Sequence, residues 1–116
     1  LVAGAVQLPD AGQLMHQCPD AVLCADQQGR ITFWNPAAEA LFGLPASVAI
    51  GQSLDIIVPQ PMRGAHAAGM RRMLAGGSPR IVGSIMEVLA QHPINGRHFA
   101  IEMSLSMWRH AGEQCF

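Results

Sequence analysis

Apolar and polar positions alternate in two separate parts of the chain, and in each part the alternation predicts strands joined by a glycine turn. The first pair flanks Gln27-Gln28-Gly29, and the second flanks a turn carrying Asn95-Gly96. Such runs on either side of a glycine turn indicate β-hairpins. The predicted strands are residues 20–26 and 30–34, then 81–91 and 98–107, with the start of a last strand over 113–116.

Helical signals fill the segments between these strands. Asn35-Pro36 combines a favoured N-cap with a residue favoured at the first helical position, so a helix begins there and ends near Gly43. A longer helix is predicted over 60–75, with one apolar stripe that includes His66. Short helical segments are also predicted over 10–18 and 46–51, with an apolar connector over 53–58. The order predicts an α+β domain with an antiparallel sheet and helices on one face.

Composition limits the functional classes. The chain has 116 residues with 7 basic and 8 acidic side chains, which suits one domain and gives no basic surface for direct nucleic-acid contact. No apolar run is long enough to span a membrane, and no signal peptide is recognisable. Three cysteines without a CxxC motif indicate reduced thiols in a cytoplasmic protein. We expect residues 1–9 to be a linker or flexible lead-in, and 10–116 to be a domain from a longer protein.

Several segments in a fixed order resemble those of PAS domains. They are Pro19-Asp20-Ala21-Val22, residues 26–31, residues 34–39 with Leu41-Phe42-Gly43, Gly51 with Leu54 and Val58-Pro59, and Asn95-Gly96 with Phe99 and Glu102. The resemblance implies a five-stranded antiparallel sheet with flanking helices on one face enclosing a cavity. It also implies a non-enzymatic sensory module of a bacterial signalling protein. The effector would lie outside this chain and could be a histidine kinase, a cyclic-dinucleotide enzyme or a helix-turn-helix regulator of transcription.

The segment 59–72 is similar to the haem-binding PAS domains of oxygen-sensing histidine kinases. That likeness implies His66 as a proximal iron ligand for haem b, with Arg72 beside the propionates. It further implies Ile81 as a pocket wall, and Met103 and Leu105 on the distal side. The gas-gating arginine of those sensors is replaced here by Met86, which another group of haem sensors uses as an iron ligand. Since many PAS domains without haem also resemble this chain at His66, a structural His66 is the preferred interpretation.

The leading prediction is therefore an apolar, adaptable cavity that takes a small organic ligand. The residues predicted to contact the ligand are His66, Met70, Arg72, Ile81, Ser84, Met86, Met103 and Leu105. A flavin is not expected, because no cysteine stands in an Asn-Cys-Arg-Phe type motif, and no metal site is expected from His92 and His98.

Two interactions are predicted outside the cavity, together with a packing role for Trp34. Leu14 and Met15, on the first helix, are expected to form a homodimer together with the outer face of the sheet. Glu39 is expected to pair with Arg63 as a structural ion pair.

Overall fold

The structure is a computed structural model that describes residues 11–75, 85–105, 108–110 and 113–116. The predicted positions Ile81 and Ser84 and the predicted lead-in lie outside these residues. The described helices are α1 (Ala11–Gln17), α2 (Pro36–Phe42), α3 (Ala46–Ala49) and α4 (Arg63–Leu74), with two 3₁₀ turns at Leu54–Ile57 and Gln60–Met62. The described strands are β1 (Leu23–Ala25), β2 (Ile31–Trp34), β3 (Ile85–Gln91), β4 (His98–Ser104), β5 (Trp108–His110) and β6 (Glu113–Cys115).

Three antiparallel ladders join these strands as β1–β2, β3–β4 and β5–β6. Both hairpins predicted at the glycine turns are confirmed, with Leu23 opposite Trp34 and Gln91 opposite His98. Ala25 and Phe116 exchange both of their backbone hydrogen bonds, at 2.8 and 2.9 Å, so the residue after β6 lies alongside β1. The described ladders therefore establish a mixed α+β fold with antiparallel pairing.

Local sequence explains why α2 begins and ends where it does. The side chain of Asn35 accepts a hydrogen bond from the Ala38 N–H, Pro36 occupies the first turn, and Gly43 closes the helix at φ 66°. These features confirm the predicted helix. The helix predicted over 60–75 starts later, at Arg63, because Gln60–Met62 forms a 3₁₀ turn that includes Pro61.

The core lies where β2, α2 and the β3–β4 hairpin meet. The Phe42 ring packs against Trp34 at a centroid distance of 5.2 Å and against Phe99 at 5.8 Å. The indole N–H of Trp34 donates to the Leu44 carbonyl at 3.0 Å, which satisfies its polar atom inside the core. Trp34 is therefore a packing residue, as predicted. The remaining fully buried apolar members of the cluster are Ile31, Ala38, Ala49 and Ala90.

The predicted ion pair between Glu39 and Arg63 is wrong. The Glu39 carboxylate accepts a hydrogen bond from the Ala46 N–H at 2.8 Å, at the first residue of α3. The Arg63 Nε donates instead to the Val58 carbonyl at 3.0 Å. Both side chains thus satisfy backbone groups at helix ends, where free N–H and C=O groups are concentrated.

The side chain of Asn35 is fully buried and connects three segments of the chain. Its Oδ1 accepts from the Ala38 N–H and the Val22 N–H, both at 2.9 Å. Its Nδ2 donates to the carbonyls of Met15 and Asp20 at 2.9 Å, with a longer contact of 3.5 Å to that of Cys18. The acceptor atom therefore binds the first turn of α2 and the residue before β1, whereas the donor atom binds the end of α1 and the segment after it.

Replacing Asn35 with aspartate separates these two tasks. Asn35→Asp retains an acceptor for Ala38 and Val22 but places a carboxylate oxygen against the carbonyls of Met15 and Asp20. We expect the amide protons of α1 to exchange with solvent at least ~10-fold faster in hydrogen-exchange mass spectrometry, while α2 stays protected. Asn35→Ala should lower the free energy of unfolding by about 3 kcal/mol or more, because it leaves buried polar groups unpaired.

Asn95→Asp is the matched control, since Asn95 lies exposed in the β3–β4 turn and its Oδ1 only accepts from the Arg97 N–H, as an aspartate would. Protection of α1 in Asn35→Asp equal to that in the wild type would refute the role given to the Asn35 donor atom.

Candidate functional site

A pocket of about 200 Å³ lies between α4 and two segments of the first half of the chain. One wall is a single face of α4, formed by residues at helical spacing, namely His66, Ala67, Met70, Arg71 and Leu74. The other wall combines the β1–β2 turn with the start of the first 3₁₀ turn, namely Gln27, Gln28, Gly29, Ser53, Leu54 and Asp55. The pocket therefore has polar groups from both walls in addition to the apolar stripe predicted on the helix.

Backbone hydrogen bonds hold the wall opposite α4. The Leu54 N–H donates to the Gly29 carbonyl at 2.9 Å, which fastens the 3₁₀ turn to the β1–β2 turn. Within the β1–β2 turn, the Asp26 carboxylate accepts from the N–H groups of Gln28 and Arg30 at 3.0 Å each. Aspartate commonly fixes turns in this way. This wall is therefore defined by short-range geometry and does not depend on α4.

Gly29 is the point at which α4 meets this wall. Its φ is 77°, a left-handed conformation that glycine adopts without strain. A Cβ built at Gly29 would lie 3.7 Å from both Sδ and Cε of Met70, which is ordinary van der Waals contact. The backbone conformation, rather than lack of space, therefore accounts for the glycine, and the Met70 thioether covers the turn.

Three ionisable groups line the pocket: Asp55, His66 and Arg71. Burial lowers the pKa of His66 below its usual 6.5, and the negative charge of Asp55 opposes this shift in part. A lowered pKa means that the imidazole is mainly neutral near pH 7. Within the described ranges no three His, Cys, Asp or Glu side chains come together as a metal site.

The structure brings two of the predicted ligand contacts, His66 and Met70, into this pocket. Arg71 and Arg72 are both exposed, but Arg71 lines the pocket and Arg72 does not. Met86 and Met103 lie directly opposite each other on the half-buried face of the β3–β4 hairpin, and Leu105 is half-buried just after β4. These positions stay predictions for ligand contact.

The two residues predicted to form a dimer interface lie on α1. Leu14 is 58% exposed, and Met15 is half-buried. The Met15 carbonyl accepts a hydrogen bond from Asn35, and the role of Leu14 and Met15 in a dimer stays a prediction.

Sequence reasoning missed the polar side of the pocket, formed by Gln27, Gln28, Ser53, Asp55 and Arg71. The turn at Asp26–Gly29 was recognisable, but its bond to Leu54 joins residues far apart in sequence and leaves no local signal. The i, i+4 and i+5 spacing of His66, Met70 and Arg71 was the available clue that Arg71 shares their helix face.

Comparison with known proteins identifies the fold family. The PAS fold matches residues 12–116. The chain belongs to the PAS family. The PAS domain of an HTR-like protein from Haloarcula marismortui is a structural relative at a TM-score of 0.63 and 22% identity, covering 90% of this chain and 81% of that one. At this identity the likeness concerns the fold alone.

Two curated relatives of this PAS domain are sensors. The sensor protein FixL of Bradyrhizobium diazoefficiens is 32% identical over 103 residues, which is 89% of this chain and 20% of FixL. The oxygen sensor protein DosP of Escherichia coli is 33% identical over 63 residues, covering 54% of this chain and 8% of DosP. The chain thus spans a fifth or less of the length of these relatives, and it is homologous to one part of each of them. PAS domains of this kind are regulatory sensory modules.

No helix in the described ranges has both the length and the apolar character needed to cross a membrane.

The lowered pKa of His66 predicts a loss of stability in acid. The unfolded chain, with a histidine pKa near 6.5, takes up a proton more readily than the folded chain. Above pH 6.5 His66 is neutral in both states, and its contribution to the unfolding free energy is fully present. That contribution is lost as the pH falls through the lower folded-state pKa. In urea titrations from pH 7.5 to 5, we expect His66→Gln to reduce the fall in unfolding free energy seen in the wild type.

His98→Gln, at an exposed position of β4, is the control and should leave the wild-type pH profile in place. Identical pH profiles for wild type and His66→Gln would contradict the assignment.

Proposed function

We propose that this PAS domain is a cytoplasmic sensory module that binds a small ligand next to α4 and passes the signal to an effector domain through dimerisation. The observation that carries the proposal is the asymmetry of the pocket. One wall is fixed by backbone bonds, whereas α4 contains no fully buried residue. A helix with few buried contacts has a low free energy of local displacement, so a ligand can shift it at small cost.

The proposed architecture of the complete domain is a five-stranded antiparallel sheet with the helices on one face enclosing a cavity. The backbone pair of Ala25 with Phe116 supports it, because that pair brings the end of the chain next to β1. The half-buried face of the β3–β4 hairpin, with Met86 and Met103, supplies an apolar wall. Of the ligand contacts predicted from the sequence, His66 and Met70 line the pocket beside α4. Arg72, Ile81, Ser84, Met86, Met103 and Leu105 stay predictions for the complete cavity.

We place the output outside this chain. The much greater length of FixL and DosP supports a module that is joined to an effector. The effector is a histidine kinase, a cyclic-dinucleotide enzyme or a helix-turn-helix regulator, and the PAS domain itself is regulatory rather than enzymatic. The exposed Leu14 on α1 supplies an apolar contact for a second copy of the chain.

The dimer is tested by changing Leu14 to glutamate. Because Leu14 is 58% exposed, the change should not disturb the core, but it places a charge in the proposed interface. Light scattering after size exclusion should give a concentration-dependent dimer for the wild type and at least ~10-fold weaker association for Leu14→Glu.

Val48→Glu is the matched control, since Val48 is 47% exposed and lies on α3 rather than on α1. A wild-type chain that stays monomeric at all concentrations, or a dimer insensitive to Leu14→Glu, would refute this interface.

A haem-binding gas or redox sensor with His66 as the proximal ligand is the second candidate. The neutral imidazole favoured by burial is the form that binds iron, and the oxygen sensor DosP is a relative. The pocket that His66 faces is smaller than a porphyrin and contains the Asp55 carboxylate. Haem would therefore require a wider separation of α4 from the opposite wall.

An absorption spectrum after reconstitution with haem decides between the two candidates. A Soret band that shifts or disappears in His66→Ala would support the haem sensor. A spectrum without a Soret band, or one unchanged in His66→Ala, would eliminate His66 as a haem ligand and leave the small-ligand module.

A further inference from the structure

The pocket beside α4 contains two opposite charges that do not neutralise each other. Asp55 is half-buried on the fixed wall, where its charge also acts on His66, and Arg71 lies exposed on α4 at the pocket rim. Among the described residues, neither the Asp55 carboxylate nor the Arg71 guanidinium has a hydrogen-bond or ion-pair partner, and no ion pair joins them. They therefore remain available to a molecule lying in the space between the two walls.

The backbone around Asp55 is already committed to other bonds. Its N–H donates to the Ser53 hydroxyl at 3.1 Å, and its carbonyl accepts from the Val58 N–H at 3.2 Å. These bonds fix the start of the 3₁₀ turn and hold the Asp55 backbone in place. An acceptor with a fixed backbone loses little entropy when it binds a cationic group.

The charges restrict the class of ligand. A small anion would be attracted by Arg71 but repelled by Asp55, and a small cation would meet the reverse. A metal ion lacks ligands, because no group of three potential metal ligands exists in the described ranges. A molecule with separate positive and negative groups satisfies both side chains, since guanidinium binds carboxylate and carboxylate binds ammonium with charge-assisted hydrogen bonds.

Size and the remaining lining restrict it further. A volume of about 200 Å³ suits a small metabolite and not a peptide or nucleotide. Leu54, Ala67, Met70 and Leu74 add apolar surface beside the charges. This combination fits a short apolar side chain attached to a zwitterionic head.

We propose that the pocket binds a free α-amino acid with a short apolar side chain, its carboxylate held by Arg71 and its ammonium by Asp55. The inference rests on the proposed sensory function and assigns a ligand class to it. It also assigns the cationic contact to Arg71, which faces the pocket, whereas resemblance to haem-binding domains pointed to Arg72.

Isothermal titration of the purified domain with each of the twenty common amino acids provides the test. For an amino acid that binds, the matched amine without a carboxylate and the matched acid without an ammonium should each bind at least ~10-fold more weakly, the loss of one charge-assisted contact. Arg71→Gln and Asp55→Asn should each weaken binding of the intact amino acid by a similar factor.

Arg97→Gln and Asp20→Asn are the matched controls, because both side chains are exposed and neither lines the pocket. Failure of all twenty amino acids to bind, or binding lost in Arg72→Gln but retained in Arg71→Gln, would overturn the proposal. A second measurement follows the melting temperature of the domain with a panel of metabolites. If uncharged apolar metabolites raise it while no amino acid binds, the amino-acid assignment is wrong but the sensory function stands. If no metabolite raises it, the result counts against the sensory function itself.

Discussion

The buried amide of Asn35 is the interaction on which the arrangement of the first half of the chain depends. The segment between α1 and β1 is irregular, so its backbone groups cannot bond to each other and need partners when they are covered. Asn35 provides them, since one atom accepts from Val22 and Ala38 while the other donates to Met15 and Asp20. A polar side chain therefore helps to position α1, on which Leu14 is exposed.

Buried contacts are unevenly distributed around Asn35. Ile31, Trp34 and Phe42 form a dense core with the β3–β4 hairpin, and Glu39 closes the start of α3. On the other side, α4 has no fully buried residue and covers its wall partly through the flexible thioether of Met70. Sensing requires such a contrast, because a ligand can shift only an element whose displacement costs little, while the rest must keep the binding groups in place.

Helices and turns that depend on neighbouring residues could be predicted from the sequence. Contacts between residues far apart in the sequence could not. Asn35-Pro36 and Gly43 predicted α2, and the alternating residues around Asn95-Gly96 predicted the second hairpin, because caps and turns depend on neighbouring residues. The role of the Asn35 donor atom, the Glu39 bond to Ala46 and the contribution of Asp55 to the pocket depend on chain segments meeting in space. The choice between Arg71 and Arg72 likewise depended on the rotation of α4 about its axis.

The β1–β2 hairpin contacts both the pocket and α1. Its turn carries Gly29, whose carbonyl accepts a hydrogen bond from Leu54 and which lies beside Met70 in the pocket wall. Its open end carries Asn35, which holds α1. Coupling between two sites needs an element that both of them contact and that has two arrangements. The short hairpin is a shared element of this kind, because its turn lies in the pocket wall and the Asn35 that follows it binds the backbone of α1. In the proposed signalling, a movement at the turn would reach α1 and Leu14 through it.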